Sequence, residues 1–424
     1  MTDRSRGTGL RWSSHGTVAE LFTGRHNSLG FMRLFLAGGV VLSHAASLGF
    51  NTTEFGHGFS RGQTDIGKLS VYAFFILSGI LVTRSGVRLG LGRFLWHRAL
   101  RLLPGLWVCI LVCAFVLAPL LYWHLHGSLN GFIDHAQGPF QYVWHNAHII
   151  IVQKDISGVM SFGKSLGLGT SETFNGPVWT LHYEVMCYLA VGLLAVTGAL
   201  KKSRRLILLI TVFLGWRVIR EAIEHRYYTG AGQASFFRDF SVPVLGYTST
   251  NWYLYLGFAF ALGTVIELYK DRIPVNDVLG IGSIVVLLLS LRFGYLFVVG
   301  IPAMAYGLTY LAIRLPKPFQ RICSRNDYSY GIYIYGWAMQ MTLILLGGTR
   351  WGFWPFLLLS YVAAGVMAYL SWHLVEKRAM RFKDLGKDWT FGRRPKDGAG
   401  DGAGAVPPAP AAAEPVPERV GATS

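Results

Sequence analysis

Arg33 and His44 stand eleven residues apart in the run RLFLAGGVVLSH. At 100° per residue this is three turns plus about 20°, so both project from one helix face, about 16 Å apart along the axis. An imidazole in a low-dielectric site can take a proton from a hydroxyl, and a carboxylate beside it fixes its tautomer and stabilises the imidazolium. The carboxylate that suggests itself is Glu184, in NGPVWTLHYEVMCYL. If the two runs cross a membrane in opposite directions, each group lies six residues from the outer end of its span. The same two groups can equally hold helices together by a hydrogen bond, the bland reading of any intramembrane His or Glu. His182, two residues before Glu184, points to another face and is expected to cap that span near the outer surface.

A second cluster is basic. RFLWHRALRLLP places Arg98 and Arg101 three apart on one helix face, with Arg93 and His97 close by and no acid among them. Guanidinium groups bind phosphate bidentately, so the cluster suits a phosphorylated ligand; it also suits plain enforcement of membrane topology. Ser78 and Gly79 in FFILSGIL read as small residues for close helix packing, and with no visible adjacent base Ser78 is not expected to be a nucleophile. Cys109, Cys113, Cys187 and Cys323 are too scattered for a disulfide scaffold and form no CxxC pair, so no metal site is expected. Cys109 and Cys113 are expected to be small buried hydrophobes.

The elements that must carry these residues follow from composition. Of 424 residues, 52% are hydrophobic and 14% charged, which argues against a soluble single domain. Apolar runs of roughly 20 residues, enough to cross about 30 Å of hydrocarbon, number about ten. They lie near 31–50, 69–85, 103–123, 178–199, 205–220, 252–269, 275–291, 293–313, 328–347 and 352–375, and the one beginning at 205 is the least regular. The fold class expected is an all-α polytopic membrane protein.

Lys and Arg total 39 against 22 Asp and Glu, a net +17. An excess of this size can serve nucleic acid, anionic lipid, topology or a phosphorylated substrate, and its placement decides among them. The loop 84–101 holds five arginines and no acid, whereas 124–177 holds only Lys154 and Lys164 as cations. Loops 200–205, 270–274 and 314–327 and the segment after Lys377 are basic as well, so these belong to the cytoplasm, as do both termini. Arg217, Arg220, Arg226 and Arg238 fit this alternation less well. The polar N-terminus through Arg25 has no signal-peptide core, so insertion is expected to rely on the first span. The domain reading is a cytoplasmic segment 1–26, a membrane-embedded domain 27–385 and a cytoplasmic tail 386–424, its Gly/Ala/Pro composition disordered from about 395. The loops 124–177 and 217–251, rich in aromatics and His, are expected to cap the outer mouth.

In order along the chain, several segments resemble motifs of the bacterial acyltransferase 3 family of integral membrane acyltransferases. Arg33 and His44 resemble its first-span Arg and His, FFILSG its second-span motif and RALR its RxxR motif. NGPVWTLHYEVMCYL, DYSYGIYIYGWAMQ and YLSWHLVEKRAMRF are similar to its later segments, and the likeness runs over about 27–385. Tyr72-Ala73 stands where many members carry an Asp before the paired Phe residues. No soluble esterase-like domain of the kind some relatives append is expected after the last span.

The resemblance implies transfer of an acyl group, often acetyl, from cytoplasmic acyl-coenzyme A to a hydroxyl of a carbohydrate or related acceptor, in the bacterial inner membrane. It places catalysis on His44 and donor use on Arg33, Arg98 and Arg101; the matched depth of the two groups, and not the resemblance, gives Glu184 the role of orienting His44. Arg93, Trp179 and Tyr183 complete the expected substrate-binding set, and Tyr or Trp groups can support the oxyanion. No tightly bound cofactor, metal or nucleic acid is expected; the partners are the acyl donor, the acceptor and the bilayer. A transporter or flippase also places charged residues in a multi-span bundle, but the halves show no internal symmetry. A non-catalytic scaffold would use His44 and Glu184 for packing.

Overall fold

In the computed structural model the described residues are 14–22, 24, 27–224, 239–242 and 246–386. They fall within one unit, residues 1–391. The tail from 387 onward, residues 1–13 and most of 225–245 lie outside the described residues, and so does the expectation of disorder from about 395.

Apolar sequence becomes helix throughout. The principal helices are α1 (Leu29–Phe50), α2 (Ile66–Arg88), α3 (Leu91–Val112), α4 (Ala118–His126), α5 (Pro139–Asn146), α6 (Val159–Ser165) and α7 (Trp179–Val196). They continue with α8 (Arg204–Glu224), α9 (Thr250–Leu268), α10 (Asp277–Phe293), α11 (Ile301–Arg314), α12 (Ser329–Leu345) and α13 (Phe353–Ser371). A π-turn, Cys113–Leu117, joins α3 to α4 in one continuous rod. Strand pairing among the described residues is confined to two short antiparallel pairs: β1 (Ser14–Thr17) with β4 (Pro274–Asn276), and β2 (Asp239–Val242) with β3 (Gly246–Ser249).

Six continuous helical stretches among the described residues are long and apolar enough to cross a membrane: Leu29–Phe50, Ile66–Arg88, Leu91–His126, Trp179–Val196, Leu296–Arg314 and Phe353–Leu385. The other four expected spans also fall on helices. Two of these, α10 and α12, are 17 residues long, about a turn short of the roughly 20 that hydrocarbon requires.

Two helix crossings fix the frame. α2 meets α9 at Gly79 and Gly263, where a Cβ on Gly79 would lie 2.1 Å from the Phe260 carbonyl and one on Gly263 would lie 2.0 Å from that of Ile76. The small-residue reading of Ser78-Gly79 therefore holds at Gly79. Below this crossing Thr83 Oγ1 bonds Thr264 Oγ1 at 3.0 Å, and Arg84 forks onto Glu267 with Nε 3.1 Å from both carboxylate oxygens. α1, α12 and α13 pack on one another. Gln340 donates to the Val41 carbonyl at 2.8 Å, and Tyr361 of α13 to that of Gly38 at 2.9 Å, so α1 is tied on two sides.

The chain before α7 departs from the expected geometry. Asn175 donates to the Ile334 carbonyl at 2.9 Å, the Trp337 indole donates to the Thr173 carbonyl at 2.9 Å, and Gly176 packs on the Trp337 ring. Ile334 lies in the second turn of α12, so non-helical backbone penetrates the bundle beside it. Such backbone is tolerated in a membrane protein where protein surrounds it, and Phe174 and Asn175 are buried. α7 consequently begins well inside the bundle rather than at its outer rim.

Candidate active site

Two adjoining clefts hold Arg33, Arg98, Arg101 and Glu184, and His44 lines neither. The inner cleft lies between α1, α2, α3, α7 and α12. It is lined by Arg33, Arg98 and Arg101 at one end, Ser78, Glu184 and Tyr188 in the middle, and Val71, Phe74, Thr180 and Tyr333 at the other. Its cavity volume is about 120 Å³, below the roughly 300–1,000 Å³ of small-molecule sites, so it is a narrow passage in this conformation. The second cleft shares Arg33, Leu81, Arg98 and Arg101 with the first and adds Arg84, Arg88 and Arg325. Six arginines thus face one vestibule whose lining contains a single acid, Asp327.

The arginines are not equivalent. Asp327 is 7% exposed, lies 2.5 Å from Arg33 Nη2 and accepts a hydrogen bond from Arg101 through the same oxygen. Burial alone would raise the Asp327 carboxyl, but Arg101 and Arg33 together hold it well below the usual carboxylate range. Ser329 donates to its other oxygen, which makes Asp327 the hub joining α1, α3 and the start of α12. Arg84 is committed to Glu267. Arg98 instead packs over the Tyr188 ring at 5.8 Å, and its Nε is buried without a hydrogen-bond partner. Arg93 stands outside both clefts, 3.7 Å from Asp384.

Glu184 belongs to the inner cleft and not to His44. Its Oε1 accepts hydrogen bonds from Ser78 at 3.2 Å and from Tyr188 at 2.5 Å. Ser78 therefore has an adjacent carboxylate that the sequence did not reveal, though no imidazole accompanies it. His44 lies edge-on to Trp337, ring centroids 4.8 Å apart. The charged groups acting on its ring are Asp65 and Lys68, and its neighbour Ser43 donates to Asp65 at 3.0 Å. Along α2, Ser78 is thirteen residues beyond Asp65, about 20 Å at 1.5 Å per residue. The expected His44–Glu184 pair is therefore not formed. The buried segment before α7 starts that helix deep in the bundle, so counting residues from its end places Glu184 at the wrong level.

Trp179 and Tyr183 do not line either cleft. They form an aromatic layer between α7 and α9, with Trp179 4.8 Å from Trp252 and Tyr183 4.7 Å from Tyr253. His182 is not a surface cap: it is 6% exposed and hydrogen bonds to the Tyr253 hydroxyl. Tyr72, at the position of the missing Asp, packs against Trp252 and Phe297. Cys109 and Cys113 are buried and unpaired with each other, as expected of small hydrophobes. No cluster of three or more metal-ligating side chains occurs among the described residues.

A family model for an acyltransferase domain, acyltransferase 3, matches residues 26–373. The chain belongs to the acyltransferase 3 family. An O-acetyl transferase of Shigella phage Sf6 is 27% identical over 373 residues, covering 84% of this chain and 96% of the relative. Nodulation protein 10 of Rhizobium leguminosarum bv. viciae is 27% identical over 397 residues, covering 87% and 97%. No solved structure matches the chain. The protein is thus an O-acyltransferase that transfers an acyl group to a hydroxyl, and its apolar helices make it a multi-pass membrane protein.

Proposed function

We propose that the donor is a cytoplasmic acyl-coenzyme A and that His44 is the general base for transfer to a carbohydrate or related hydroxyl. The observation that carries this reading is the continuity of the two clefts. A vestibule of arginines opens into a narrower passage whose far end reaches Val71, one turn along α2 from Lys68. Phosphates cannot enter hydrocarbon, so they stay with Arg88, Arg98 and Arg325 while the slim uncharged arm of the donor follows the passage. Glu184 and Tyr188 offer acceptor and donor atoms along that arm.

The acceptor hydroxyl arrives from the opposite side. His44 takes its proton as the oxygen attacks the thioester carbonyl; the tetrahedral adduct then collapses, breaking the carbon–sulfur bond, and the leaving thiolate takes the proton from His44. The short-chain acyl group, the ten-span topology with both termini in the cytoplasm and the bacterial inner membrane belong to the same reading.

The test is the full chain reconstituted in lipid with acetyl-coenzyme A, with thiol release followed in parallel with mass spectrometry of glycans and metabolites from cells with and without the gene. Thiol release and a new ester, both lost in His44→Ala, support the reading. An ester formed equally well by His44→Ala rejects His44 as base, and indifference to acyl-coenzyme A rejects the donor.

A further inference from the structure

Val71, Phe74, Ser78 and Leu81 recur every three or four residues along α2 and line the inner cleft, so one face of this helix walls the passage for about 15 Å. Leu81 also borders the arginine vestibule, which makes it the near end and Val71 the far end. His44 lines neither cleft, yet the same face of α2 leads toward it. Gly67 lies seven residues before Phe74, two turns or about 10 Å along the axis. A Cβ there would stand 2.9 Å from that of Ser43, the residue preceding His44. A gap thus separates the end of the passage from the base.

An aromatic pair stands in this gap. Phe74 meets Tyr333 of α12 edge to face, with ring centroids 5.9 Å apart and planes at 70°. The two rings are held differently. The Tyr333 hydroxyl donates to the Pro177 carbonyl at 3.1 Å and lies 2.5 Å from the Thr180 hydroxyl, which fixes its ring against the start of α7. One turn further along α12, Trp337 packs on the His44 ring, so Tyr333 sits between the passage and the base. Phe74 has no polar atom to anchor it and is only half-buried between the buried Ala73 and Phe75, with the cleft in front of it.

We propose that Phe74, closing against the fixed ring of Tyr333, determines which acyl groups reach His44: it yields to a two-carbon chain and excludes long ones. The proposal rests on the acyl-coenzyme A reading and deepens it. The passage holds about 120 Å³, so each added methylene must displace a ring or overpack the bundle. One methylene in an apolar pocket is worth roughly 10- to 200-fold in discrimination.

The test follows thiol release from acetyl-, butyryl- and octanoyl-coenzyme A by the full chain in lipid, an extract of cells lacking the gene supplying the acceptor. The wild type is expected to favour the acetyl over the octanoyl donor by about 100-fold or more in kcat/KM. Phe74→Ala should raise the octanoyl-to-acetyl ratio by about 10-fold or more, and Phe74→Leu should raise it by less. If the alanine variant does not fold, Phe74→Leu, the smaller change in volume, decides. A ring that only packed the core would lower stability and leave the ratio unmoved.

A wild-type ratio in a folded Phe74 variant, or a wild type indifferent to chain length, overturns the proposal. Thiol release from acetyl-coenzyme A in either case leaves the donor reading standing. Failure of that reading shows instead as no thiol release from any of the three donors.

Discussion

Arg33 and Asp327 form a buried ion pair at 2.5 Å, and Arg101 binds the same carboxylate oxygen. Two arginines expected to hold a donor are thereby held by the protein itself. One carboxylate oxygen holds both guanidinium groups, so each arginine is fixed in direction. A bound phosphate would meet a preorganised field here, and direct ligation falls to the arginines whose charges are not already answered.

Asp327→Asn should therefore cost stability first. Removing one partner from a buried ionic cluster leaves uncompensated charge, typically about 3–5 kcal/mol. The native carboxyl titrates below the usual carboxylate range, so the stabilisation is complete above that range and fades as pH falls toward the lowered native value. Thermal unfolding in detergent should show a large loss for Asp327→Asn at neutral pH, with the wild-type advantage shrinking only in strong acid. A pH-independent difference would place the effect in packing.

Arg98→Ala and Arg88→Ala should chiefly raise the apparent KM for acetyl-coenzyme A. Each lost charge-assisted contact to phosphate is worth about 1.5–3 kcal/mol, or roughly 10- to 150-fold. Lys should rescue only partly, having no planar fork. Arg101→Ala should combine a donor defect with lower yield, because it also strips Asp327. Equal stability loss across the three variants would contradict this division.

Gly79→Ala should weaken the bundle without touching chemistry. Its new Cβ would stand 2.1 Å from the Phe260 carbonyl, forcing α2 and α9 apart at a typical overpacking cost of about 1–3 kcal/mol. Folded yield and thermal stability should fall while turnover per folded molecule persists.

Much of this was legible in the sequence. The apolar runs mark helices because hydrocarbon length and composition determine them, and the Arg33 to His44 spacing correctly places both on one helix, α1. Ser78-Gly79 reads as packing, and Gly79 is. What failed was the step from depth to contact. Glu184 seemed level with His44 because α7 was counted from an outer rim that the buried segment around Asn175 displaces.

Asp65 was invisible for a different reason: it precedes its apolar run, where a carboxylate reads as a helix cap, and only tertiary packing brings α1 alongside. Asp327 was hidden within a basic loop, and Arg84, Arg88 and Arg325 were absorbed into a topology argument. A single acid amid four cations between 314 and 327 is a signal that could have marked it.

Glu184→Gln provides the sharpest separation between the sequence expectation and the structure. Were Glu184 the partner of His44, its amide would weaken imidazolium stabilisation and lower kcat with the donor KM unchanged. Instead Glu184 accepts from Ser78 and Tyr188 in the inner cleft, about 20 Å along α2 from the level of His44. The amide keeps an acceptor oxygen but removes the charge facing Arg98 and Arg101, so the change should appear in the donor KM. It should leave kcat in place, whereas His44→Ala removes transfer by about 10²–10⁴-fold with donor binding retained. Measuring donor KM and kcat on one preparation of each variant decides the matter. A lowered kcat with an unchanged donor KM in Glu184→Gln would mean that the carboxylate reaches His44 during turnover, through a rearrangement of α7 that the present geometry does not contain.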